Sequence, residues 1–340
     1  MSGSLESYLD AVPTSVVEQV GRARRVLAVC HENPDADTLG AALAIRHLVR
    51  ARGGTADVVC GDPVPSLYDF LPDVGAVRMD PDPAAHHDLL VVLDCGSLER
   101  IGAVRERHPA VFAQPPRIVI DHHASNDARS PTDWVEPAAA ATCEMVSLLA
   151  VRLGVPLSSG GGSLATLLTA GIVMDTATFA HPNATPRTLA VTAALVAAGA
   201  PLSDISRRLY RTKPDVQLRL FGRVLAGLES AAGGRIVHAT LKLADLAATG
   251  AAASHSEGII DLLAQSETAD VAILLKEVAP AETRVSVRTR AGGVDATVLA
   301  NRFGGGGHAR AAGATIDAPV GEARASVLAE AERLLDAGPG

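Results

Sequence analysis

The first half of the chain contains short, continuous runs of apolar residues, and each run ends in polar side chains. The runs cover residues 26–30, 89–93 and 118–120. Apolar runs of this length indicate strands that are buried on both faces, as in a parallel sheet. Because stretches with helical spacing of apolar residues alternate with these strands, the pattern predicts an α/β fold with a doubly wound parallel sheet.

The pattern changes twice further along the chain. Apolar residues follow helical spacing between residues 186 and 228, and strand patterns return at 235–241, 271–277 and 284–290. A chain of 340 residues is long enough for two domains with separate cores. We therefore predict a parallel-sheet domain over residues 1–185, a helical linker over 186–228 and a smaller α/β domain over 229–340.

The loop after the first apolar run carries three polar side chains close together in sequence. Asn33-Pro34 predicts a turn, and Asp37 is expected to cap the helix that follows. His31, Asp35 and Asp37 would then lie between a strand's carboxyl end and a helix N-terminus, where open α/β sheets bind their ligands. Taken alone, this loop is equally consistent with a metal site and with a polar turn capped by Asp37.

The composition narrows the class of substrate. With 48% hydrophobic and 20% charged residues, the chain has the composition of a compact globular protein. Its net charge of −8 argues against a general nucleic-acid binder, which needs a basic face to neutralise many phosphates. We therefore expect no duplex nucleic acid as partner, and a phosphate-bearing substrate that is small or is held locally by a few arginines and metal.

The sequence pattern predicts neither a secretory signal nor a membrane-spanning segment. Residues 5–24 predict an amphipathic helix rather than a secretory signal, and the most apolar run, residues 189–202, is too short to span a bilayer. The four cysteines are widely spaced and form no C-x-x-C pair, which suits a reducing compartment. We expect a soluble, cytoplasmic protein that does not contact a membrane.

Candidate metal ligands follow several of the predicted strands, and all of them are aspartate or histidine rather than cysteine. The candidate metal ligands are His31, Asp35, Asp37, Asp94, His122 and Asp175. This set is large enough for two metal ions bridged by a shared carboxylate, and it favours Mn²⁺ or Mg²⁺ over a structural zinc. Two such ions, roughly 3.5–4 Å apart, are the usual arrangement for hydrolysing phosphate esters.

These motifs resemble those of the DHH phosphoesterases, and the resemblance covers nearly the whole chain. The family's four signature motifs are matched by His31-x-Asn33-Pro34-Asp35-x-Asp37-x-x-Gly40, Asp94, Asp121-His122-His123 and Asp175-Thr176. The glycine-rich motif of the DHH-associated domain is matched by Gly305-Gly306-Gly307-His308, followed by Ala311-Ala312-Gly313. One departure is Ala177, which stands where many relatives have glycine.

The resemblance implies a role for each matched residue. It assigns one metal to His31, Asp35 and Asp94. The ligands of the other metal are Asp37, Asp94, His122 and Asp175, so the two metals share Asp94. Asp121 is expected to orient a neighbouring imidazole, and His123 to donate a hydrogen bond to the scissile phosphate.

In the second domain the resemblance implies a substrate site. Gly305, Gly306, Gly307 and His308 are expected to meet the substrate, with a helix N-terminus after the glycines that favours an anion. Arg288 resembles the family's substrate-phosphate arginine, a role that suits a planar guanidinium.

Within the family, the architecture resembles the group of nanoRNases and 3′-phosphoadenosine 5′-phosphate (pAp) phosphatases. The implied activity is dinuclear-metal hydrolysis of short single-stranded RNA, pApA and pAp to 5′-mononucleotides, extended in actinobacterial-like members to cyclic di-AMP. A homodimer is left open. Two alternatives stay open as well, namely a RecJ-like single-strand exonuclease and a nucleotide-binding regulator that has lost turnover.

Overall fold

The chain is described by a computed structural model that covers residues 5–113, 115–126, 130–290 and 292–337. It consists of two compact units, Met1–Thr212 and Lys213–Gly340. Each unit is built around a six-stranded sheet of its own and has its own buried apolar clusters.

The first unit alternates strands and helices, as the apolar runs predict. Its described strands are β1 (Arg25–Val29), β2 (Thr55–Val59), β3 (Val77–Arg78), β4 (Leu89–Leu93), β5 (Arg117–Asp121) and β6 (Trp134–Val135). Its described α-helices are α1 (Thr14–Arg22), α2 (Ala36–Ala51), α3 (Ala103–Arg107), α4 (Pro109–Ala113), α5 (Thr142–Arg152), α6 (Ser163–Asp175), α7 (Pro186–Ala197) and α8 (Leu202–Ser206). Short 3₁₀ helices cover Leu5–Ala11, Ser66–Tyr68, Val74–Ala76 and Leu98–Ile101, and a π-helix covers Arg207–Arg211.

The sheet of the first unit has the strand order β3-β2-β1-β4-β5-β6, and every neighbouring pair is parallel. Alternate residues of β1 enter two different apolar clusters: Val26 and Ala28 pack on one face, Leu27 and Val29 on the other. The sheet is therefore covered on both sides, and the predicted parallel α/β fold is confirmed. The order reverses between β1 and β4, the position where such sheets bind ligands.

Two local expectations in this unit are wrong. A single helix over residues 5–24 does not form, because Pro13 is extended (φ −61°, ψ 133°) and separates the 3₁₀ turn from α1. The N-cap of α2 is Asp35 rather than Asp37, since Asp35 Oδ1 accepts from the backbone N–H groups of Asp37 (2.9 Å) and Thr38 (3.1 Å).

The second unit carries a mixed sheet. Its described strands are β7 (Glu229–Ala231), β8 (Ile236–Leu241), β9 (Val271–Ala279), β10 (Glu282–Thr289), β11 (Gly306–His308) and β12 (Ala311–Ile316), and its described α-helices are α9 (Asp215–Ala226), α10 (Leu243–Thr249), α11 (Ile259–Leu263), α12 (Ala296–Asn301) and α13 (Val320–Ala337). Short 3₁₀ helices cover Ala232–Gly234 and Ala253–Ser256. The strand order is β11-β12-β10-β9-β8-β7, with β8 and β9 parallel and the other neighbours antiparallel.

Among the described residues, no single helix is long and apolar enough to cross a membrane. One bent pair, Pro186–Ala197 with Leu202–Arg211, meets the requirement on length and composition only.

Candidate metal centre

The loop between β1 and α2 places His31 at the carboxyl edge of the sheet. The side chain is buried, and its Nδ1 lies 2.7 Å from the backbone oxygen of Glu32. A carbonyl oxygen can only accept, so Nδ1 carries the proton of that hydrogen bond. The other ring nitrogen, Nε2, lies 3.8 Å from Asp35 Oδ2 and 3.5 Å from Asp94 Oδ2, so it faces two carboxylates.

Asp94, directly after β4, occupies the middle of the site. It has a left-handed backbone (φ +61°), its N–H donates to Ile120 O at 3.0 Å, and only 2% of the residue is exposed. Its two carboxylate oxygens face different imidazoles: Oδ2 lies 3.5 Å from His31 Nε2, and Oδ1 lies 3.4 Å from His122 Nε2. The carboxylate thus stands between the two halves of the cluster.

The structure brings all six candidate metal ligands together in two groups. One group contains His31, Asp35 and Asp94, and the other contains Asp37, Asp94, His122 and Asp175; in each group the ligand atoms lie within 4.8 Å of one another. A third group joins His123 to Asp94 and His122. Asp94 belongs to every group, which is the arrangement that a shared, bridging carboxylate requires. Metal binding by these residues stays a prediction.

The charges of the cluster favour a bound cation. Burial, followed by the negative charges of Asp94 and Asp175, raises the pKa of Asp37. Burial also raises the pKa of Asp175, to about 6, with Asp94 contributing and the hydrogen bond to His122 opposing. Like charges that are this close destabilise each other, and a divalent ion among them would remove that repulsion.

The two histidines carry the compensating protons when no metal is bound. Burial lowers the pKa of His31, but the larger combined effect of Asp35 and Asp94 raises it, and the resulting pKa is about 10. In the same way burial lowers the pKa of His122, whereas Asp175 and Asp94 raise it to about 12. Asp94 responds in the opposite direction: burial raises its pKa, but His122 and His31 hold it well below its usual range. Once these imidazoles lose their protons, the set of carboxylates and imidazoles fits a hard or borderline divalent cation.

The N-terminus of α5 holds the two central carboxylates, and sequence reasoning missed this. The backbone N–H groups of Thr142 and Cys143 donate to Asp37 Oδ2 (2.6 Å) and Oδ1 (2.8 Å), and Thr142 Oγ1 donates to Asp94 Oδ1 (3.0 Å). Free N–H groups at a helix start favour a negative charge. The available cue was a threonine directly before residues with helical apolar spacing.

Glycine at position 171 allows α6 to approach Asp37. A Cβ at Gly171 would lie 2.3 Å from Asp37 Oδ1 and 2.5 Å from Cys143 Sγ. Real Cβ atoms do not approach other atoms so closely, so any side chain here would displace the carboxylate. Gly171 is therefore a further residue that positions the site, and its sequence context gave no indication of this.

Asp121 and His123 form a pair at the end of β5. His123 Nδ1 lies 2.7 Å from Asp121 Oδ1, and Asn126 Nδ2 donates to Asp121 Oδ2 at 2.6 Å. Asp121 is fully buried, whereas the side chain of His123 is 35% exposed. The contact joins Asp121 to Nδ1 and leaves Nε2 of the imidazole for other partners. The orienting role of Asp121 stays a prediction.

A cavity of about 190 Å³ opens on this cluster. It is lined by His31, Asp35, Asp94, Arg100, His122, His123, Asp175 and Asn183. Arg100 and Asn183 were not singled out from the sequence. Asn183 Nδ2 donates to the backbone oxygens of Ala140 (3.1 Å) and Asp175 (3.3 Å), so this side chain holds the end of α6 in place.

The candidate substrate residues of the second unit lie only partly together. Arg288, Gly305 and Gly306 line one cavity of about 550 Å³, whose lining does not include Gly307 or His308. These last two residues are exposed and lie on β11. Arg288 is not free in this state, because its Nε donates to Asp261 Oδ1 at 3.1 Å.

The expected helix after the glycines is wrong. Helix α12 precedes the glycine run, and β11 and β12 follow it as a hairpin. The glycines are needed for close backbone packing in this hairpin, since a Cβ at Gly305 would lie 2.1 Å from Gly313 O and one at Gly307 would lie 2.5 Å from Ala311 O. The anion preference of a helix N-terminus therefore does not apply here.

Two family models match the chain. Residues 25–172 match the DHH family, N-terminal domain, and residues 230–337 match the DHHA1 domain. A bifunctional oligoribonuclease and PAP phosphatase NrnA from Thermus thermophilus is 33% identical over 286 residues, which cover 84% of this chain and 82% of the relative. A protein of the same name from Bacillus subtilis is 27% identical over 307 residues, which cover 89% and 93%.

The fold also matches a solved structure. An exopolyphosphatase-related protein from Bacteroides fragilis superposes with a TM-score of 0.83 at 22% identity, covering 97% of this chain and 98% of that one. At this identity the likeness establishes the fold alone.

Proposed function

This chain belongs to the DHH family of phosphoesterases, which makes it a hydrolase, and we propose that it hydrolyses short RNA oligonucleotides and pAp to 5′-mononucleotides. The observation that carries the proposal is the position of Asp94, which is shared by both groups of candidate metal ligands. The substrate class comes from the relatives in Thermus thermophilus and Bacillus subtilis, whose names describe an oligoribonuclease and PAP phosphatase.

Members of this family depend on metal, and the donor set of the first unit fits that requirement. We propose two divalent ions, Mn²⁺ or Mg²⁺, held by His31, Asp35, Asp37, Asp94, His122 and Asp175. When bound, such ions supply a nucleophile from water at neutral pH and neutralise charge on the phosphate. The chain's own contribution is to fix the ligands, through the N–H groups of α5 and the hydroxyl of Thr142.

One bond is common to the proposed substrates. Both pApA and pAp carry a phosphate ester on the 3′-oxygen of a 5′-phosphonucleoside, and water replaces that oxygen on phosphorus. In pApA the products are two AMP molecules; in pAp they are AMP and inorganic phosphate. His123, whose Nδ1 donates to Asp121, is proposed to donate a second hydrogen bond from Nε2 to the phosphate during this exchange, which requires the imidazolium form.

The second unit is proposed to bind the rest of the substrate. Its cavity of about 550 Å³ falls in the size range of small-molecule sites, about 300–1,000 Å³. Arg288, Gly305 and Gly306 line it, and Gly307 and His308 follow on β11. The assignment of residues 1–185 to catalysis, 186–228 to a linker and 229–340 to substrate binding is part of this proposal.

Three finer points belong to the proposal as well. Cyclic di-AMP is a further substrate to test, and a homodimer is one assembly to test. The proposed location is the cytoplasm, where the four free cysteines stay reduced.

The test is an assay of the purified protein with Mn²⁺ on pApA, pAp, cyclic di-AMP and short RNAs, with AMP measured by chromatography. We expect AMP from pApA and pAp, and none after chelation of the metal. If nucleotides bind tightly without any AMP release, the chain is a regulator rather than an enzyme. Rapid processive digestion of long single-stranded DNA would instead support a RecJ-like exonuclease.

A further inference from the structure

Arg100 is a cationic residue in the wall of the cavity that the candidate metal ligands line. It lies in the 3₁₀ helix Leu98–Ile101, six residues after Asp94, and it shares the cavity of about 190 Å³ with His31, Asp35 and Asp94. Neither the metal groups nor the Asp121–His123 pair includes it.

The backbone of Arg100 is tied to the loop that carries His31. The N–H of Glu32 donates to Arg100 O at 2.7 Å, and the oxygen of the same Glu32 accepts from His31 Nδ1 at 2.7 Å. One residue, Glu32, therefore links the imidazole to the main chain of Arg100 through its N–H and its C=O. The position of this arginine is set by the same loop that sets the candidate metal ligand.

The guanidinium of Arg100 does not bind another side chain or a backbone oxygen of the described residues. Within the described parts of the chain, it makes no hydrogen bond or ion pair, although three carboxylates line the same cavity. The partly buried Arg187 behaves differently, since it pairs with both Glu136 and Glu144. A guanidinium has five N–H donors in a planar fork that matches phosphate oxygens, so Arg100 retains that capacity for a ligand.

The size of the cavity limits what Arg100 can reach. A volume of about 190 Å³ is below the range of about 300–1,000 Å³ that is usual for whole small-molecule ligands. The space beside Arg100 thus suits a phosphate group rather than a nucleoside. In the proposed reaction, the phosphate that enters between the candidate metal ligands is the one that reacts.

We propose that Arg100 binds the non-bridging oxygens of the reacting phosphate. This inference rests on the proposed function, because it assumes that a phosphate ester is the substrate. It makes Arg100 a substrate-binding residue that serves every substrate alike, whatever its base, its length or its 5′ group. Arg288 differs in this respect, since it lies in a cavity of the second unit.

Substitution of Arg100 tests the proposal. Arg100→Gln should lower kcat/KM by about 100-fold, the order of loss that follows removal of one donor to a reacting oxyanion. The factor should be equal for pApA and for ApA, which lacks the 5′-phosphate. Arg100→Lys should recover part of the activity, because it keeps the charge but not the fork. Arg107→Gln is the matched control: it lies outside the cavity lining and pairs with the exposed Asp80, so its kcat/KM should stay within twofold.

Two binding measurements separate the alternatives. Isothermal titration of the Mn²⁺-loaded protein with inorganic phosphate should show binding at least tenfold weaker for Arg100→Gln than for wild type. Titration of Arg100→Gln with Mn²⁺ alone should show an Mn²⁺ affinity no weaker than that of wild type, since the substitution removes a positive charge near the ions. Weaker Mn²⁺ binding, or a loss confined to pApA with ApA unaffected, would overturn the proposal. A wild-type protein without turnover would refute the proposed function, while the phosphate titration would still decide the role of Arg100.

Discussion

Thr142→Val is a small change that tests how α5 supports the candidate metal centre. The substitution removes the hydroxyl that donates to Asp94 Oδ1 at 3.0 Å and keeps the shape of the side chain. It also keeps the backbone N–H that donates to Asp37 Oδ2. Any effect can therefore be attributed to one hydrogen bond on the shared carboxylate.

The expected size follows from burial and charge. Thr142 is fully buried and Asp94 is 2% exposed, so water does not replace the lost donor. Hydrogen bonds to a charged group contribute about 1.5–3 kcal/mol, and we expect a loss of about 2 kcal/mol in the free energy of unfolding of the first unit. Loss of a partner that orients a metal ligand typically weakens metal binding about 10- to 100-fold, and we expect the same for Mn²⁺ here.

The chain offers both a probe and a matched control. Trp134 is the one tryptophan in the sequence and is buried in the first unit, so its fluorescence during urea unfolding reports on that unit. Thr169 is also fully buried, but its hydroxyl has no hydrogen-bond partner in the part of the chain that the structure describes. Thr169→Val should therefore leave stability and Mn²⁺ affinity unchanged or raise stability slightly, and Thr142→Ser should retain most of both.

The reasoning would be refuted by either of two results. One is an equal change in the urea midpoint for Thr142→Val and Thr169→Val, which would mean that the hydroxyl of Thr142 has no special partner. The other is unchanged Mn²⁺ affinity in Thr142→Val, measured by isothermal titration, which would mean that Asp94 does not depend on α5 for its position.

Asp94→Ala should abolish Mn²⁺-dependent hydrolysis and leave the circular dichroism spectrum intact, because both ligand groups lose their shared carboxylate; full activity would contradict the bridging role. Gly305→Ala places a Cβ 2.1 Å from a backbone oxygen, so we expect a loss of about 1–3 kcal/mol in the free energy of unfolding by urea. A Cβ at Gly306 would meet nothing within 4 Å, so Gly306→Ala should have the same free energy of unfolding as wild type. At pH 7, below their pKa values of about 10 and about 12, His31 and His122 are protonated without metal. Binding of Mn²⁺ should thus release protons, on the order of one per histidine, which buffers of different ionisation enthalpy reveal in titration calorimetry; an identical heat in all buffers would contradict this.

The parallel sheet and its polar edge could be predicted because their determinants are local. Each apolar run is short and continuous, and β4 is buried at all five positions, as such a run implies. The ligand residues stand directly after β1, β4 and β5, and parallel strands align their carboxyl ends without further information. The gathering of His31, Asp94 and His122 follows from strand order alone.

Which of Asp35 and Asp37 caps α2 could not be predicted, because the hydrogen-bond donors to Asp37 are remote in sequence. Both aspartates precede the same helix and have the same capping chemistry. Asp37 accepts instead from Thr142 and Cys143, more than 100 residues away, and this leaves the cap to Asp35. The glycine run poses the same difficulty: whether a hairpin or a helix follows it depends on pairing with β12, which no local pattern specifies.

The strained backbone near the cavity also has a tertiary origin. Asp94 and the three residues that follow Thr176, namely Ala177, Thr178 and Phe179, all have positive φ, although none of them is glycine. Such conformations cost of order 1–3 kcal/mol each and persist only where the surrounding structure over-determines them. The fully buried β4 does so for Asp94, whose N–H is fixed to β5. The apolar strands therefore do more than form a core: they hold a carboxylate in a conformation, and among charges, that it would not adopt by itself.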